Sequence, residues 1–269
     1  MRKLFMLFLL FTIFLSKGEC NSDFNRLKER LIADGFDKKI IEKFYSHPKA
    51  KFLPQVIKIY STYRESKLNY KHFLNKCFIF MGQKYLKQYQ NTFSKVYKQY
   101  GVDPNIIVAL LIIETKLGTY NGKYTVFNVL SSLAISEKFK KRAKWAYKEL
   151  KAFLRYVIKY NLDPFSIKGS FAGAFGIPQF MPSSLWKFGQ DGDDDGIIDL
   201  YNHHDAIMSV ANYLKASGWK EDLSEEEKKK VLLHYNWSIY YVNTVLELSK
   251  KLKNSQYLSS SQTKGHTKF

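Results

Sequence analysis

The segment Asp103-Pro104-Asn105-Ile106-Ile107-Val108-Ala109-Leu110-Leu111-Ile112-Ile113-Glu114 is the most informative part of the chain, because it contains an unbroken apolar run from Ile106 to Ile113. Asp103 followed by Pro104 is typical of a helix N-cap and its first residue, and Gly118 suits a C-terminal end. A helix that is apolar on every face is normally buried. The sequence therefore predicts one buried helix that carries Glu114 near its C-terminal end.

Glu114 is the candidate catalytic residue of this helix. It follows Leu110 by one turn and lies near the negative end of the helix dipole. Burial and dipole both disfavour an ionised carboxylate, which predicts a raised pKa. A carboxyl group that stays protonated near neutral pH can act as a general acid. The alternative is a helix-end glutamate whose carboxylate reaches water. This helix alone does not distinguish the two roles, and the other motifs of the chain are needed.

Helical spacing of apolar residues recurs along the chain and predicts a mainly α protein. Long helices are expected over residues 85–100 and 138–160, and convincing strand patterns are few. Four segments are expected: a signal peptide at 1–18, a helical N-terminal region at 19–84, a catalytic core at 85–252, and a disordered tail at 253–269. The tail is assigned from its content of Ser, Gln, Lys and Thr.

The N-terminus predicts export. Arg2-Lys3 precede the apolar stretch Leu4 to Leu15, which is too short for a stable transmembrane anchor and has the layout of a secretory signal. Cleavage after Gly18 is expected. A lipid on Cys20 is the alternative attachment, although the residues before it are atypical. Cys77 is expected to be free and buried, with a Cys20–Cys77 disulfide as the other option.

The charge balance is strongly basic, with 43 Lys and Arg residues against 24 Asp and Glu residues and a formal net charge of +19. Such an excess favours an anionic partner, namely nucleic acid, an acidic membrane or an acidic wall polymer. The alternative is a lysine-rich composition spread over solvated faces, because the lysines are scattered along the chain.

The segment from Asp191 to Asn202 has the spacing of a twelve-residue calcium loop. A glycine, Gly196, occupies the sixth position, where such loops turn sharply. The usual bidentate Glu of the last position is replaced, so weak, structural calcium binding is expected, and a solvated Asp-rich turn is the alternative. His203-His204 lacks a third ligand at metal spacing. The predicted metal ligands are Asp191, Asp193, Asp195, Ile197 (through its carbonyl), Asp199 and Asn202.

Several segments together closely resemble the MltB-type membrane-bound lytic murein transglycosylases. They are Ile113–Gly118, Lys168–Ser184, the calcium-type loop, Gly218-Trp219 and Tyr235-Asn236, and the resemblance runs from about Tyr85 to about Leu248. It implies a lysozyme-like helical core with an EF-hand-like loop. It also implies cleavage of the β-1,4 bond between N-acetylmuramic acid and N-acetylglucosamine in peptidoglycan, with formation of 1,6-anhydromuramic acid.

The resemblance also assigns site residues. Glu114 is the single general acid and base, and Ser170 and Gln179 lie beside it, holding its carboxyl or a substrate amide. Tyr235 and Asn236 line the same groove. The alternatives are structural, because Ser170 and Gln179 could stabilise a loop, and Tyr235-Asn236 could be a helix end.

One carboxyl group is enough for this chemistry if the substrate supplies the nucleophile, whereas most glycosidases use two carboxylates. The expected partners are peptidoglycan glycan strands, with no nucleic acid, and the chain is expected to be a monomer in the periplasm or on the outer membrane facing it. A muramidase that uses water and a non-catalytic, calcium-dependent wall-binding protein are the alternative functions.

Overall fold

The structure, a computed structural model, describes residues 17–62, 69–136 and 140–263. The predicted signal peptide lies almost entirely outside the described residues, and so does the side chain of Cys20. Within the described ranges, no helix combines the length and the apolar character that crossing a membrane requires.

The predicted mainly α class is confirmed. The described residues form α1 (Lys17–Ala33), α2 (Lys38–Ser46), α3 (Pro54–Thr62), a 3₁₀ turn (Lys71–Leu74), α4 (Lys76–Gln88), α5 (Gln90–Tyr100), α6 (Pro104–Thr115), α7 (Val126–Ala134), α8 (Lys140–Lys159), α9 (Pro182–Phe188), α10 (His203–Ala216), α11 (Glu225–Tyr235) and α12 (Ile239–Thr263). Two short strands, β1 (Tyr124–Thr125) and β2 (Lys168–Gly169), pair antiparallel with Tyr124 opposite Gly169.

Helix α6 lies at the centre of the molecule and is packed against α4, α5, α10 and α12. Residues 107–112 have no exposed surface, in agreement with the apolar run. Asp103 caps the helix by accepting a hydrogen bond from the amide of Asn105 at 2.8 Å, and Pro104 is its first residue. The helix ends earlier than Gly118, because Lys116 already takes the left-handed conformation with φ of 51°.

The long helix expected over residues 85–100 is two helices, α4 and α5, separated at Tyr89. The ring of Tyr89 stacks on His203 with 5.0 Å between ring centroids, which gives this break a packing role. Cys77 is free but exposed in the first turn of α4, so the expectation that it is buried is wrong.

The N-terminal region is held on the core by polar side chains of α7, which are themselves buried. The Ser131 hydroxyl is 2.8 Å from the Tyr45 hydroxyl, and Ser132 accepts a hydrogen bond from the amide of Leu53 at 2.9 Å. Asn128 accepts from the amide of Lys51 at 3.1 Å and donates to the carbonyl of residue 49 at 2.8 Å. The expected boundary between residues 84 and 85 falls inside α4, within one continuous apolar core.

Helix α12 is described as far as Thr263, and the disorder expected from Lys253 onward stays a prediction. Its last residues contain no Gly or Pro that would end a helix. Extending an existing helix costs little per residue once its packed part has formed, which the compositional argument did not consider.

A buried acid joins α8 to α9, the helix that follows the Gly-rich loop of residues 169–179. Glu149 is 3% exposed, and its carboxylate accepts hydrogen bonds from the amide of Ser183 at 2.9 Å and from the Ser183 hydroxyl at 2.7 Å. It thereby satisfies an N–H group of the first turn of α9, which has no partner within the helix.

We predict that Glu149→Ala destabilises the fold by about 1–3 kcal/mol, because it leaves the Ser183 amide and hydroxyl without these partners. Chemical denaturation measures the change. Lys148→Ala, at an exposed position of the same helix, is the matched control and should change stability by less than about 0.5 kcal/mol. Equal stability of the two variants would show that the contact contributes nothing.

Candidate active site

The backbone turn after α6 fixes the position of Glu114, which is half-buried in the last turn of the helix. Lys116, Leu117 and Gly118 have consecutive positive φ angles of 51°, 57° and 84°. The buried Thr115 hydroxyl donates to the carbonyl of Ile177 at 2.8 Å and accepts from the amide of Gly118 at 3.0 Å. These bonds attach the end of α6 to the Gly-rich loop.

Glu114 opens into a cavity of about 330 Å³. Ser170 and Gln179 line the same cavity, so the structure brings together three of the predicted site residues. One wall comes from Ile59 of α3, which places the N-terminal region in the site. The remaining lining residues are Tyr120, Gly122, Lys123, Tyr124, Gly169 and Phe171.

The Gly-rich loop holds Ser170 and Gln179 through its own backbone. The Ser170 hydroxyl oxygen accepts from the amides of Ala172 at 3.2 Å and Ala174 at 3.1 Å. Gln179 has a positive φ of 49°, and its side-chain NH₂ donates to the carbonyl of Gly176 at 2.8 Å. Both residues therefore stabilise the loop and also face the cavity, so the two interpretations made from the sequence are compatible.

Part of the cavity surface is bare backbone. Gly122, with φ of +96°, lies so close to Gly169 that a Cβ on it would be 2.2 Å from the Gly169 carbonyl carbon. A Cβ on Gly169 would in turn be 2.1 Å from the Ala174 carbonyl oxygen. Only glycine fits at either position, because a methyl group would collide with main-chain atoms that cannot rotate away.

Tyr241 is a site residue that the sequence analysis missed. Its hydroxyl donates to Oε1 of Glu114 at 2.6 Å, and its side chain is 1% exposed. Burial raises the pKa of Tyr241 well above its ordinary value, and the negative charge of Glu114 adds to the effect. The phenol is therefore a permanent hydrogen-bond donor to the carboxyl group. Its position in the first turn of α12, six residues after Tyr235, was the available signal.

Tyr235 and Asn236 do not line the cavity. The Tyr235 hydroxyl donates to the carbonyl of Pro178 at 2.6 Å and so supports the Gly-rich loop from behind. Burial raises the pKa of Tyr235, with the charge of Glu114 as the next cause, which places the ring near that carboxylate. Asn236 is the C-cap of α11, and its Oδ1 accepts from the amide of Ser238 at 2.9 Å.

The acidic loop, which is the predicted calcium loop of residues 191–202, places Asp191 and Asp193 beside Asp205. The carboxylate oxygens of the three residues lie within 4.8 Å of one another. Oxygen ligands at about 2.3–2.6 Å from a calcium ion can be separated by roughly this distance. The donor set therefore fits a hard cation. Asp205 was not predicted, because it lies three residues beyond the twelve-residue template, in the first turn of α10.

Asp205 also fixes the loop backbone. It is fully buried and accepts hydrogen bonds from the amides of Gly192 and Asp199, both at 2.7 Å. Burial raises the pKa of Asp205 to about 6, and the charges of Asp193 and Asp191 act in the same direction. A cation between these carboxylates would relieve their mutual repulsion.

The other predicted ligands bond within the loop. Asp195 accepts from the amide of Ile197 at 2.8 Å, and Asp199 accepts from the amide of Tyr201 at 2.9 Å. Burial raises the pKa of Asp199. Asn202 caps α10 through its Oδ1 and donates to Asp193 at 2.6 Å. The structure therefore groups Asp191 and Asp193 with Asp205, and this cluster of described carboxylates does not include Asp195 or Asp199.

The two histidines after the loop contact hydroxyl groups. Nδ1 of His203 is 2.9 Å from the Tyr85 hydroxyl, and Nδ1 of His204 is 2.6 Å from the Thr92 hydroxyl. Burial lowers the pKa of His203, with the neighbouring His204 as a further cause. Both side chains therefore tie α10 to α4 and α5.

The acidic loop is bonded to the Gly-rich loop. The carbonyl of Leu200 accepts from the amide of Ile177 at 2.8 Å, and the Tyr201 hydroxyl donates to the carbonyl of Lys168 at 2.5 Å. Any ordering of the acidic loop is thus transmitted to the backbone that carries Ser170 and Gln179.

A family model described as "Transglycosylase SLT domain" matches residues 19–228. The chain is 41% identical to the membrane-bound lytic murein transglycosylase B of Escherichia coli (strain K12) over 138 residues, which are 51% of this chain and 38% of that protein. The chain thus matches well under half the length of that relative.

The fold also matches solved structures, which confirms the predicted lysozyme-like helical core. The Escherichia coli lytic transglycosylase SLT35 in complex with calcium superposes with a TM-score of 0.78 and 25% identity, over 87% of this chain and 94% of that one. SltB3 from Pseudomonas aeruginosa, in complex with NAG-anhNAM-pentapeptide, gives a TM-score of 0.78 at 21% identity, over 87% of this chain and 79% of that one. At that identity, the second likeness concerns the fold alone.

We predict that Tyr241→Phe lowers turnover by about 10–100-fold, because it removes a hydrogen bond to a charged group worth about 1.5–3 kcal/mol. The pH–rate profile should also move to higher pH, since the lost bond favours the ionised carboxyl. Tyr240→Phe, on a neighbouring exposed ring, is the control. A pH profile identical to that of the unaltered protein would contradict a role for Tyr241 in positioning Glu114.

Proposed function

This chain belongs to the transglycosylase SLT domain family, and we propose that it cleaves the β-1,4 bond between N-acetylmuramic acid and N-acetylglucosamine in peptidoglycan without consuming water. The product would carry a 1,6-anhydromuramic acid end. The 41% identity to the lytic murein transglycosylase B of Escherichia coli supports this proposal at the level of substrate class.

One observation carries the proposal. Among the described residues that line the cavity, Glu114 is the only acidic side chain. A two-carboxylate glycosidase needs a second carboxyl group about 5–9.5 Å from the first. With a single carboxyl group, the nucleophile has to come from the substrate, and the C6 hydroxyl of N-acetylmuramic acid can reach its own C1.

The reaction then needs one group that first gives and later takes a proton. Glu114 donates its proton to the glycosidic oxygen, and the bond between that oxygen and C1 breaks. The C6 oxygen forms a bond to C1 and loses its proton to the Glu114 carboxylate. The enzyme returns to its starting state, and the leaving N-acetylglucosamine carries the proton that Glu114 gave.

The surrounding residues have separate tasks in this scheme. Tyr241 holds one carboxyl oxygen of Glu114 and thereby sets the direction of the other. The Ser170 hydroxyl still has its own hydrogen to donate, since its oxygen only accepts from the loop. Gln179 offers an amide group beside it. We assign both residues to hydrogen bonds with the sugar acetamido group, and Tyr235 and Asn236 to support of this wall.

The acidic cluster is assigned to a structural calcium ion held by Asp191, Asp193 and Asp205. The donor set is all carboxylate oxygen, as a hard cation requires. A calcium complex of the Escherichia coli relative supports the choice of metal. The ion would supply charge neutralisation and rigidity to the loop, and the chemistry would remain with Glu114.

For its location, we propose export to the periplasm, with the chain acting as a monomer on glycan strands. The name of the Escherichia coli relative, which describes a membrane-bound protein, supports attachment to a membrane. The lipid on Cys20 remains part of this proposal as one means of attachment.

We predict that Glu114→Gln folds and binds glycan but loses at least about 10²-fold in activity, since the amide cannot exchange a proton. The control is Glu247→Gln, at an acid that is 55% exposed on α12. Mass spectrometry of products from purified peptidoglycan should find anhydro ends with the unaltered protein. Reducing ends would indicate a muramidase, and the absence of cleavage would indicate a binding protein.

We also predict that millimolar calcium stabilises the protein by about 1–3 kcal/mol through mass action, and magnesium by less. Melting curves in calcium and in chelator measure the difference. Combined Asp191→Asn and Asp193→Asn changes should abolish it, whereas Asp194→Asn, an exposed residue of the same loop, should not. Identical melting in calcium and chelator would leave the segment as a solvated turn.

A further inference from the structure

A second cavity, of about 560 Å³, lies between α1 and the start of α8, away from Glu114. Its floor is apolar and includes Leu27 and Ala134, which are almost completely buried. Four cations line it, and among its described lining residues there is no acidic side chain. We name these four residues, Arg26, Arg30, Lys140 and Lys144, the α1–α8 basic face.

Contacts between α1 and α8 position Arg30 within the α1–α8 basic face. The guanidinium of Arg30 lies 4.0 Å from the centroid of the Tyr147 ring on α8. Tyr147 and Lys151 both donate to the carboxylate of Asp34, at 3.1 Å and 2.6 Å. Asp34, four residues after Arg30, is therefore already paired, whereas Glu29, which directly precedes Arg30, is an exposed acid beside the face.

The charge is concentrated here beyond the general lysine excess. The start of α8 reads Lys140-Lys141-Arg142-Ala143-Lys144-Trp145, with four cations in five residues. The Arg142 guanidinium lies 3.9 Å from the Trp145 ring. Arginine presents a planar fork of donors that matches phosphate oxygens, and tryptophan suits the boundary between water and lipid.

The position of the α1–α8 basic face in the sequence suggests its binding partner. Arg26 follows Cys20 by six residues on α1, about 9 Å at the rise of an α-helix. The apolar stretch from Leu4 to Leu15 precedes the same helix. One lipid chain binds a membrane only marginally, and stable attachment usually requires a second signal such as a basic cluster.

We propose that the α1–α8 basic face binds the phosphate headgroups of an anionic phospholipid membrane and holds the catalytic core at the membrane surface. The inference rests on the proposed export of the chain and does not depend on the proposed cleavage reaction. Arginine and lysine near an anionic leaflet each strengthen binding by about 1 kcal/mol, which is about fivefold per charge.

The test compares binding of the full chain to vesicles of phosphatidylcholine with and without phosphatidylglycerol. The variant combines Arg26→Gln, Lys140→Gln and Lys144→Gln, all at exposed positions, and leaves Arg30 on its tyrosine. The matched control combines Lys98→Gln, Lys215→Gln and Lys230→Gln, which remove the same charge from other exposed positions. Cleavage of soluble glycan fragments and melting temperature are recorded for each protein.

We expect the variant to lose at least about tenfold in affinity for the anionic vesicles and almost nothing for the neutral ones. The control should keep its preference for anionic vesicles, and glycan cleavage should be unchanged in both. Equal losses in variant and control would overturn the proposal in favour of general net charge. Loss of binding to peptidoglycan sacculi in place of vesicles would overturn it in favour of a wall-binding face. Absence of glycan cleavage in every protein, with vesicle binding as expected, would reject only the proposed function.

Discussion

Helix α6 is buried on nearly all sides, and this burial positions both the surrounding helices and the candidate active site. Neighbouring helices pack around an apolar rod that has no solvated face, so its axis and its rotation are both fixed. That packing positions Glu114, because its side chain is the polar group at the end of α6 that borders the cavity. A carboxyl group on an ordinary surface helix could not be held with such precision, since its helix would have one free side.

Three segments far apart in sequence are joined into one unit at the end of this rod. Thr115 binds the carbonyl of Ile177, and Ile177 in turn binds Leu200 through its amide. Hydrogen bonds therefore connect the helix that carries the carboxyl group, the loop that carries Ser170 and the acidic loop. A cation bound in the acidic loop would act on the cavity through these hydrogen bonds and would have no need to touch the substrate.

The sequence was most informative where local rules and tertiary packing agree. The apolar run predicted α6, and resemblance in the loops predicted that Ser170 and Gln179 join Glu114. Tyr241 and Asp205 were not predicted, because their roles depend on contacts over long sequence separations. No local spacing in the sequence encodes those contacts. Disorder after residue 253 was inferred from composition alone, and it stays a prediction. Asn236 belongs to a family motif and also caps a helix, so the sequence alone could not distinguish a substrate contact from a helix end.

Two glycines lie against each other on the cavity surface next to Ser170, and they affect how a sugar would bind. Gly122 and Gly169 leave a surface of main-chain atoms without rotamers, so contact with it freezes no side-chain torsion and loses no side-chain entropy. The shape of this floor cannot adapt to a larger ring, nor can substitution there enlarge it. Tolerance for chemically modified sugars would have to arise at the movable rim, at Ile59, Tyr120 and Lys123, where evolution and protein engineering have side chains to change.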